Sequence, residues 1–278
     1  MTTSVEQLES LGATVKQAGG EITDVSFRDS SKLGDEQWKL IGQLSHLKSL
    51  TAYGGARGLN DDTVGFLEGL KQLESLSLDG AQLSDTGLSR LAALNNLQSV
   101  SFFHLSFRKG GFTGKGFEAW MALSKLERLT VAGMSMGDEG FREIAKLKQL
   151  KQLRTWHTYR TEASNTELAK LPNLTTLKLG QRLPHSKAAP LSLSNNSLAT
   201  LVKIPMLETL ELSEADFSVE ALKTLAQLPN LKRLKIDRTY LKAADIEKLK
   251  SKLPGVQITF EPLTDEQKKK LDAYLKQN

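Results

Sequence analysis

The apolar residues of this chain fall into short runs that alternate with polar ones. In "LESLSL", Leu73 to Leu78, leucine takes the first, fourth and sixth places. The same spacing recurs in "LQSVSF", "LERLTV", "LTTLKL", "LETLEL" and "LKRLKI". A period of two predicts a strand with one face turned inward. The central apolar residue falls at Leu50, Leu76, Val100, Leu129, Leu153, Leu177, Leu210 and Leu234, with weaker copies around Val25 and Ile258. That makes ten units on a base period of 24 residues. After each run the period changes. In "LSDTGLSRLAAL", Leu88, Leu91 and Leu94 recur every third residue and form one helical stripe. Ser84-Asp85 supplies a helix N-cap before that stripe. Thr264 with Gln267 three residues on predicts a capping box at the last helix.

One strand and one helix cannot bury their apolar faces alone, whereas stacked units share a continuous core. The repeats and their "L-[ST]-D-x-G-L-x-x-L" helix start resemble the leucine-rich-repeat family, in its bacterial, ribonuclease-inhibitor-like branch. The resemblance runs over about residues 22–263. It implies an α/β solenoid, a horseshoe of about ten repeats with parallel strands on the concave face and helices on the convex face. It also implies a non-catalytic recognition surface. The expected organisation is a single domain: an N-terminal cap over residues 4–21, repeats over 22–263 and a capping helix over 264–278. Val5, Leu8 and Leu11 cover the first repeat in this reading, and Leu271, Tyr274 and Leu275 the last.

Composition narrows the chemistry. A formal charge of +5 over 37 basic and 32 acidic residues is too mild for a nucleic-acid-binding stripe. The absence of cysteine excludes disulfides, thiolate metal sites and cysteine nucleophiles. "MTTSVEQLES" has neither a basic nor an apolar leader region, and no apolar stretch is long enough to insert into a membrane. A cytoplasmic protein and the mature form of an exported one both fit.

Aligning the units turns the outward strand positions into rows. One row reads Ser26, Thr51, Ser77, Ser101, Thr130, then Arg154, Lys178, Glu211, Lys235, Thr259. Its first half is hydroxyl and its second half is charged. The change falls at "RTWHTYR", Arg154 to Arg160, where other units carry bland residues such as "LSLDG". Two units are longer than the rest, within "FHLSFRKGGF" and "GQRLPHSKAAPLSL". Insertions of this kind map to loops on one face, often the binding face. The rows therefore predict a cationic, aromatic patch over repeats 4–7, built from Phe103, His104, Arg128, Arg154, Trp156, His157, Arg160, Lys178 and Arg182. Arg108, Lys109, His185 and Lys187 join it at the rim. Trp and Arg are the residue types that most often dominate interface energy. The expected partner is an acidic protein. A glycan or anionic polysaccharide held between Phe103 and Trp156 is the alternative.

Plainer explanations compete. Trp156 can pack against the repeat-seven loop, and Phe103 under its own. Tyr53 reads as isolated surface. His104 and His157 lie about 10 Å apart by strand spacing, too far for one metal, and no matching carboxylate is evident in their rows. No Ser-His-Asp constellation emerges, so neither an enzyme nor a cofactor is expected. "RKGGFTGKGF" lacks the glycine spacing of a phosphate loop. Lys268-Lys269-Lys270 reads as the solvated face of the capping helix.

Overall fold

The computed structural model describes residues 4–106, 112–181 and 189–276. The chain forms two compact units, Met1–Ser135 and Met136–Asn278.

The first unit contains β1 (Ala13–Ala18), β2 (Glu21–Phe27), β3 (Ser49–Ala52), β4 (Ser75–Asp79), β5 (Ser99–Phe103) and β6 (Arg128–Ala132). From β2 to β6 the strands are parallel and in sequence order, with Val25, Leu50, Leu76, Val100 and Leu129 side by side. These five residues are thereby stacked and buried. Each contributes roughly 1.5–3 kcal/mol of burial free energy. The connections return through helices, some of them 3-10, as at Val64–Gly69 and Lys115–Ala122. A 3-10 turn rises about 2.0 Å per residue against 1.5 Å in an α-helix, so it spans a short connection with fewer residues. Trp38 and Trp120 are fully buried among these connections. The Trp120 indole N–H donates to the Leu88 carbonyl at 2.9 Å, which satisfies the polar end of a buried ring.

The N-terminal stretch contains a strand in addition to the expected helix. A short helix, Val5–Ser10, is present, but it leads into β1, which pairs antiparallel with β2. Gly19 and Gly20, both at positive φ, make the hairpin turn.

The second unit contains β7 (Gln152–Trp156), β8 (Thr176–Gly180), β9 (Thr209–Ser213), β10 (Arg233–Thr239) and β11 (Gln257–Pro262). All are parallel, with Leu153, Leu177, Leu210, Leu234 and Ile258 in register. The last helix, Asp265–Leu275, begins with the expected capping box, Thr264 with Gln267. Its buried face goes further back than the last repeat. Leu271 and Tyr274 pack with Ala189, beside Tyr159 and Leu191. The Tyr274 hydroxyl reaches Gln181 Oε1 at 3.2 Å and the Pro190 carbonyl at 2.5 Å.

In both units the residue four places after the central apolar residue of several strands is left-handed. Gly54, Gly80 and Gly133 fill this position in the first unit, together with His104 at φ 50°. In the second unit it holds His157, Glu214 and Arg238 at φ 52–62°. A side chain in this conformation costs about 1–2 kcal/mol relative to glycine. Such strain persists only where surrounding contacts hold it, often at functional positions.

Candidate functional site

The outward rows predicted for the second unit are where the strands place them. Arg154 pairs in register with Lys178, Lys178 with Glu211, and Glu211 with Lys235. Adjacent strands lie about 4.8 Å apart, so these four side chains form one continuous charged row. Glu211 is its electrostatic centre. It accepts from Arg154 Nη2 at 2.8 Å and lies 3.5 Å from Lys178 Nζ. Lys235 pairs with Asp237 at 2.8 Å, and that hydrogen bond raises the lysine pKa.

Trp156 ends β7 and is half-buried. Lys178 Nζ sits 4.7 Å from the centre of its ring, a cation–π contact. Gly180, on the next strand, makes room for the root of the Trp156 side chain: a β-carbon there would stand 2.8 Å from Trp156 Cβ and 2.7 Å from Ser213 Oγ. The strained left-handed positions form a second charged row. Glu214, its carboxylate 4% exposed, meets His157 Nε2 at 3.0 Å through one oxygen and accepts from Arg238 Nη1 at 2.8 Å through the other. The Glu214 carbonyl accepts from Gln181 Nε2 at 2.8 Å. Gln181 also holds the backbone N–H groups of Ser192 and Leu193.

Beside these rows lies a cleft of about 360 Å³ on the same strand face. Arg154, Arg233, Lys235 and Glu211 line it, with Thr176, Thr209 and Thr259 and the amides of Gln152 and Gln257. Three cations to one carboxylate make the walls electropositive. Sequence reasoning missed Arg233 and Glu214 as site residues. Arg233 stands directly before the central Leu234 and Glu214 at the place in its repeat that His157 takes in another, but only the fold shows which neighbours they meet.

Several predicted site residues need correction. Arg160 does not belong to an accessible patch: it is fully buried. It occupies the interior position after the turn that Leu59, Leu83, Met136, Phe217 and Leu241 fill elsewhere, all of them buried. Its Nη1 donates to Asn165 Oδ1 at 2.6 Å and Ser164 Oγ at 3.3 Å, and the guanidinium lies 5.6 Å from the Phe141 ring centre. Its Nε and Nη2 find no hydrogen-bond partner among the described residues. Burial lowers its pKa to about 10, with Asp138 and Glu162 acting against the shift.

The histidines are not without carboxylates. His157 has Glu214, and His104 Nδ1 lies 2.8 Å from Asp79 Oδ1 in the first unit. Tyr53 is not isolated either. Its ring meets Phe103 edge-on at 5.9 Å, and its hydroxyl bonds Ser77 Oγ at 2.9 Å. Phe103 and Trp156 each have a neighbour on the face of their own unit. Arg128 is exposed on β6. Arg182, Arg108, Lys109, His185 and Lys187 lie outside the described residues. Among the described residues no group of three or more His, Asp or Glu side chains is placed to hold a metal. No helix of the described residues is long and apolar enough to cross a membrane.

No protein-family model matches the sequence, and no curated protein matches it. Among solved structures the chain is similar to internalin C2 from Listeria monocytogenes, with a TM-score of 0.53 at 18% identity over 78% of this chain and 82% of the other. The fold is a leucine-rich-repeat solenoid. A second internalin from the same organism aligns at 16% identity, covering 91% of this chain and 87% of the other, with a TM-score of 0.40. At these identities the likeness concerns the fold.

Proposed function

We propose that this protein is a non-catalytic recognition module of the ribonuclease-inhibitor-like repeat type, and that it binds an acidic protein partner through the outward strand face of β7–β10. The observation that carries this reading is the association of half-buried Trp156 with the Arg154–Glu211–Lys178 row and the electropositive cleft beside it. Elsewhere in the strand rows the outward residues are mostly hydroxyls, which offer little to a partner beyond complementarity.

The energetics suit exchange of partners. Arg154 is 45% exposed, and an exposed ion pair is worth only about 0–1 kcal/mol. An incoming carboxylate can therefore take Arg154 from Glu211 at little cost. It gains more once the interface excludes water, because desolvated charge-assisted bonds are stronger. Trp156 supplies apolar area, and its indole stays polar at the edge. The surrounding cations speed encounter with an acidic surface at low salt. His157 stands beside Trp156 on the strained row. On the first unit, Phe103, His104 and Arg128 remain candidates for contact on that unit's own face.

The test is affinity capture from native extract with wild type and with an Arg154→Glu/Trp156→Ala variant whose fold is verified by circular dichroism. The captured protein is then titrated against both. The reading expects an acidic protein whose Kd rises at least tenfold with the variant. Equal Kd for the two would move the site away from this face.

A further inference from the structure

The cleft beside the charged row has a feature that the row itself does not share. Of its three cations, Arg154 is paired with Glu211 and Lys235 with Asp237, each at 2.8 Å. Arg233 has no carboxylate partner among the described residues. Its Nε donates to Thr209 Oγ1 at 3.1 Å, and its two Nη groups make no hydrogen bond to a described residue. Thr209 and Arg233 are register partners on adjacent strands, so this bond fixes the root of the guanidinium on the sheet. A guanidinium fixed through Nε offers its remaining N–H groups as a planar fork, the geometry that takes a carboxylate with two parallel bonds.

Resting on the recognition reading above, we infer that this cleft is a carboxylate-binding subsite, in which Arg233 anchors an Asp or Glu side chain from an extended acidic segment of the partner protein. The size agrees. A volume of about 360 Å³ lies at the small end of ligand pockets, right for one or two side chains and not for a folded element. The wall chemistry agrees too. Thr176, Thr259, Gln152 and Gln257 carry hydroxyl and amide groups that both donate and accept. They can serve the second carboxylate oxygen and the backbone amides of an extended chain.

The occupant is a peptide and not a sugar for a stated reason. Among the described residues no aromatic ring lines the cleft. Trp156, on the same strand as Arg154, carries the Lys178 ammonium on one face. Within the cleft a sugar ring would find no aromatic face among the described lining residues to stack on, whereas a carboxylate on a flexible side chain needs none.

The experiment is calorimetric titration of the full chain at low salt with N-acetyl hexaglutamate, with hexaglutamine as the uncharged control and tetragalacturonate as a carboxylated sugar. The variants are Arg233→Gln, Arg233→Lys and Arg142→Gln, the last removing an equal charge from the exposed helical face. Hexaglutamate should bind and hexaglutamine should not. Arg233→Gln should weaken binding at least tenfold. Arg233→Lys should recover only part, since lysine keeps the charge without the fork. Arg142→Gln should change it less than twofold. Equal losses for Arg233→Gln and Arg142→Gln would reduce the effect to general charge attraction and end the subsite. So would tighter, Arg233-dependent binding of tetragalacturonate, which would make the occupant a carbohydrate. Absence of hexaglutamate binding at millimolar concentration also overturns the proposal. The broader recognition reading then stands or falls separately, on whether Arg154→Glu/Trp156→Ala weakens the captured protein.

Discussion

Arg160 is a cation in a leucine position, and its replacement makes a prediction that runs against intuition. In Arg160→Met the protein loses the bonds to Asn165 and Ser164 and the contact with Phe141. Ser164 keeps its own bond to the Thr161 carbonyl, and Asn165 keeps its two donors to Ser192 and Ser197. The main debit is one buried acceptor, Asn165 Oδ1, at about 1–3 kcal/mol. The Phe141 contact adds about 0.5–2 kcal/mol. On the other side stand two buried donors without partners, Nε and Nη2, at about 1–3 kcal/mol each. The fall of the Arg160 pKa to about 10 gives an independent scale, roughly 3 kcal/mol against the charged form. Replacing a poorly compensated buried charge with an apolar residue of similar volume is often neutral or stabilising by about 1–4 kcal/mol. Urea unfolding should therefore find Arg160→Met as stable as wild type or up to about 3 kcal/mol more stable. Arg160→Ala, which leaves a cavity, should fall about 2–4 kcal/mol below the Met variant. The pH dependence carries a fixed sign. Because the folded-state pKa is depressed, the folded protein holds fewer protons than the unfolded one above about pH 10. Wild-type stability should gain on the Met variant as pH rises past that point, and the gap should be constant below it. A Met variant more than 1 kcal/mol less stable than wild type at pH 7 would refute the reasoning, by showing that the guanidinium is a net stabiliser.

Three further outcomes follow from the geometry. Gly180→Ala pushes a β-carbon against Trp156 Cβ and Ser213 Oγ, so thermal unfolding should show a loss of about 1–3 kcal/mol and the Trp156 emission should shift. Tyr274→Phe removes the bonds to Gln181 and the Pro190 carbonyl. A loss of about 1–2 kcal/mol in urea unfolding is expected, together with faster proteolysis of the last helix; unchanged proteolysis would mean that Leu271 holds this helix alone. Glu211→Gln frees Arg154 and Lys178 from their shared carboxylate. The affinity for hexaglutamate should rise several-fold with a steeper salt dependence, and a fall would show that Glu211 is needed to orient Arg154.

The stacking of the fold was legible because it rests on one physical pattern, leucines at strand and helix spacing, repeated until chance is excluded. The outward rows followed from the same alignment, and Arg154, Lys178 and Glu211 stand in the row that the alignment gave them. Arg160 was misplaced because two rules conflict at that position. Its column is interior, its charge suggests the surface, and the packing of the column prevailed. The carboxylates facing the histidines were hidden for a different reason. His157 and Glu214 lie 57 residues apart, and both side chains leave a left-handed backbone that is recognisable in sequence only where glycine marks it, as at Gly54, Gly80 and Gly133. The β1 hairpin had a signal, Gly19-Gly20, inside the stretch assigned to the N-terminal cap. The free fork of Arg233 had none, since it depends on which neighbours are already paired.

The most direct test of the strand-face assignment uses the protein's own fluorescence. Of three tryptophans, Trp38 and Trp120 are fully buried and Trp156 is only half so. Acrylamide quenching therefore reports chiefly on Trp156. The measurement is quenching of the full chain with and without a saturating amount of the acidic protein captured from native extract. A recognition face on β7–β10 predicts that quenching falls to the level of the two buried rings. Quenching unchanged at saturation would place the partner on another surface and contradict the account.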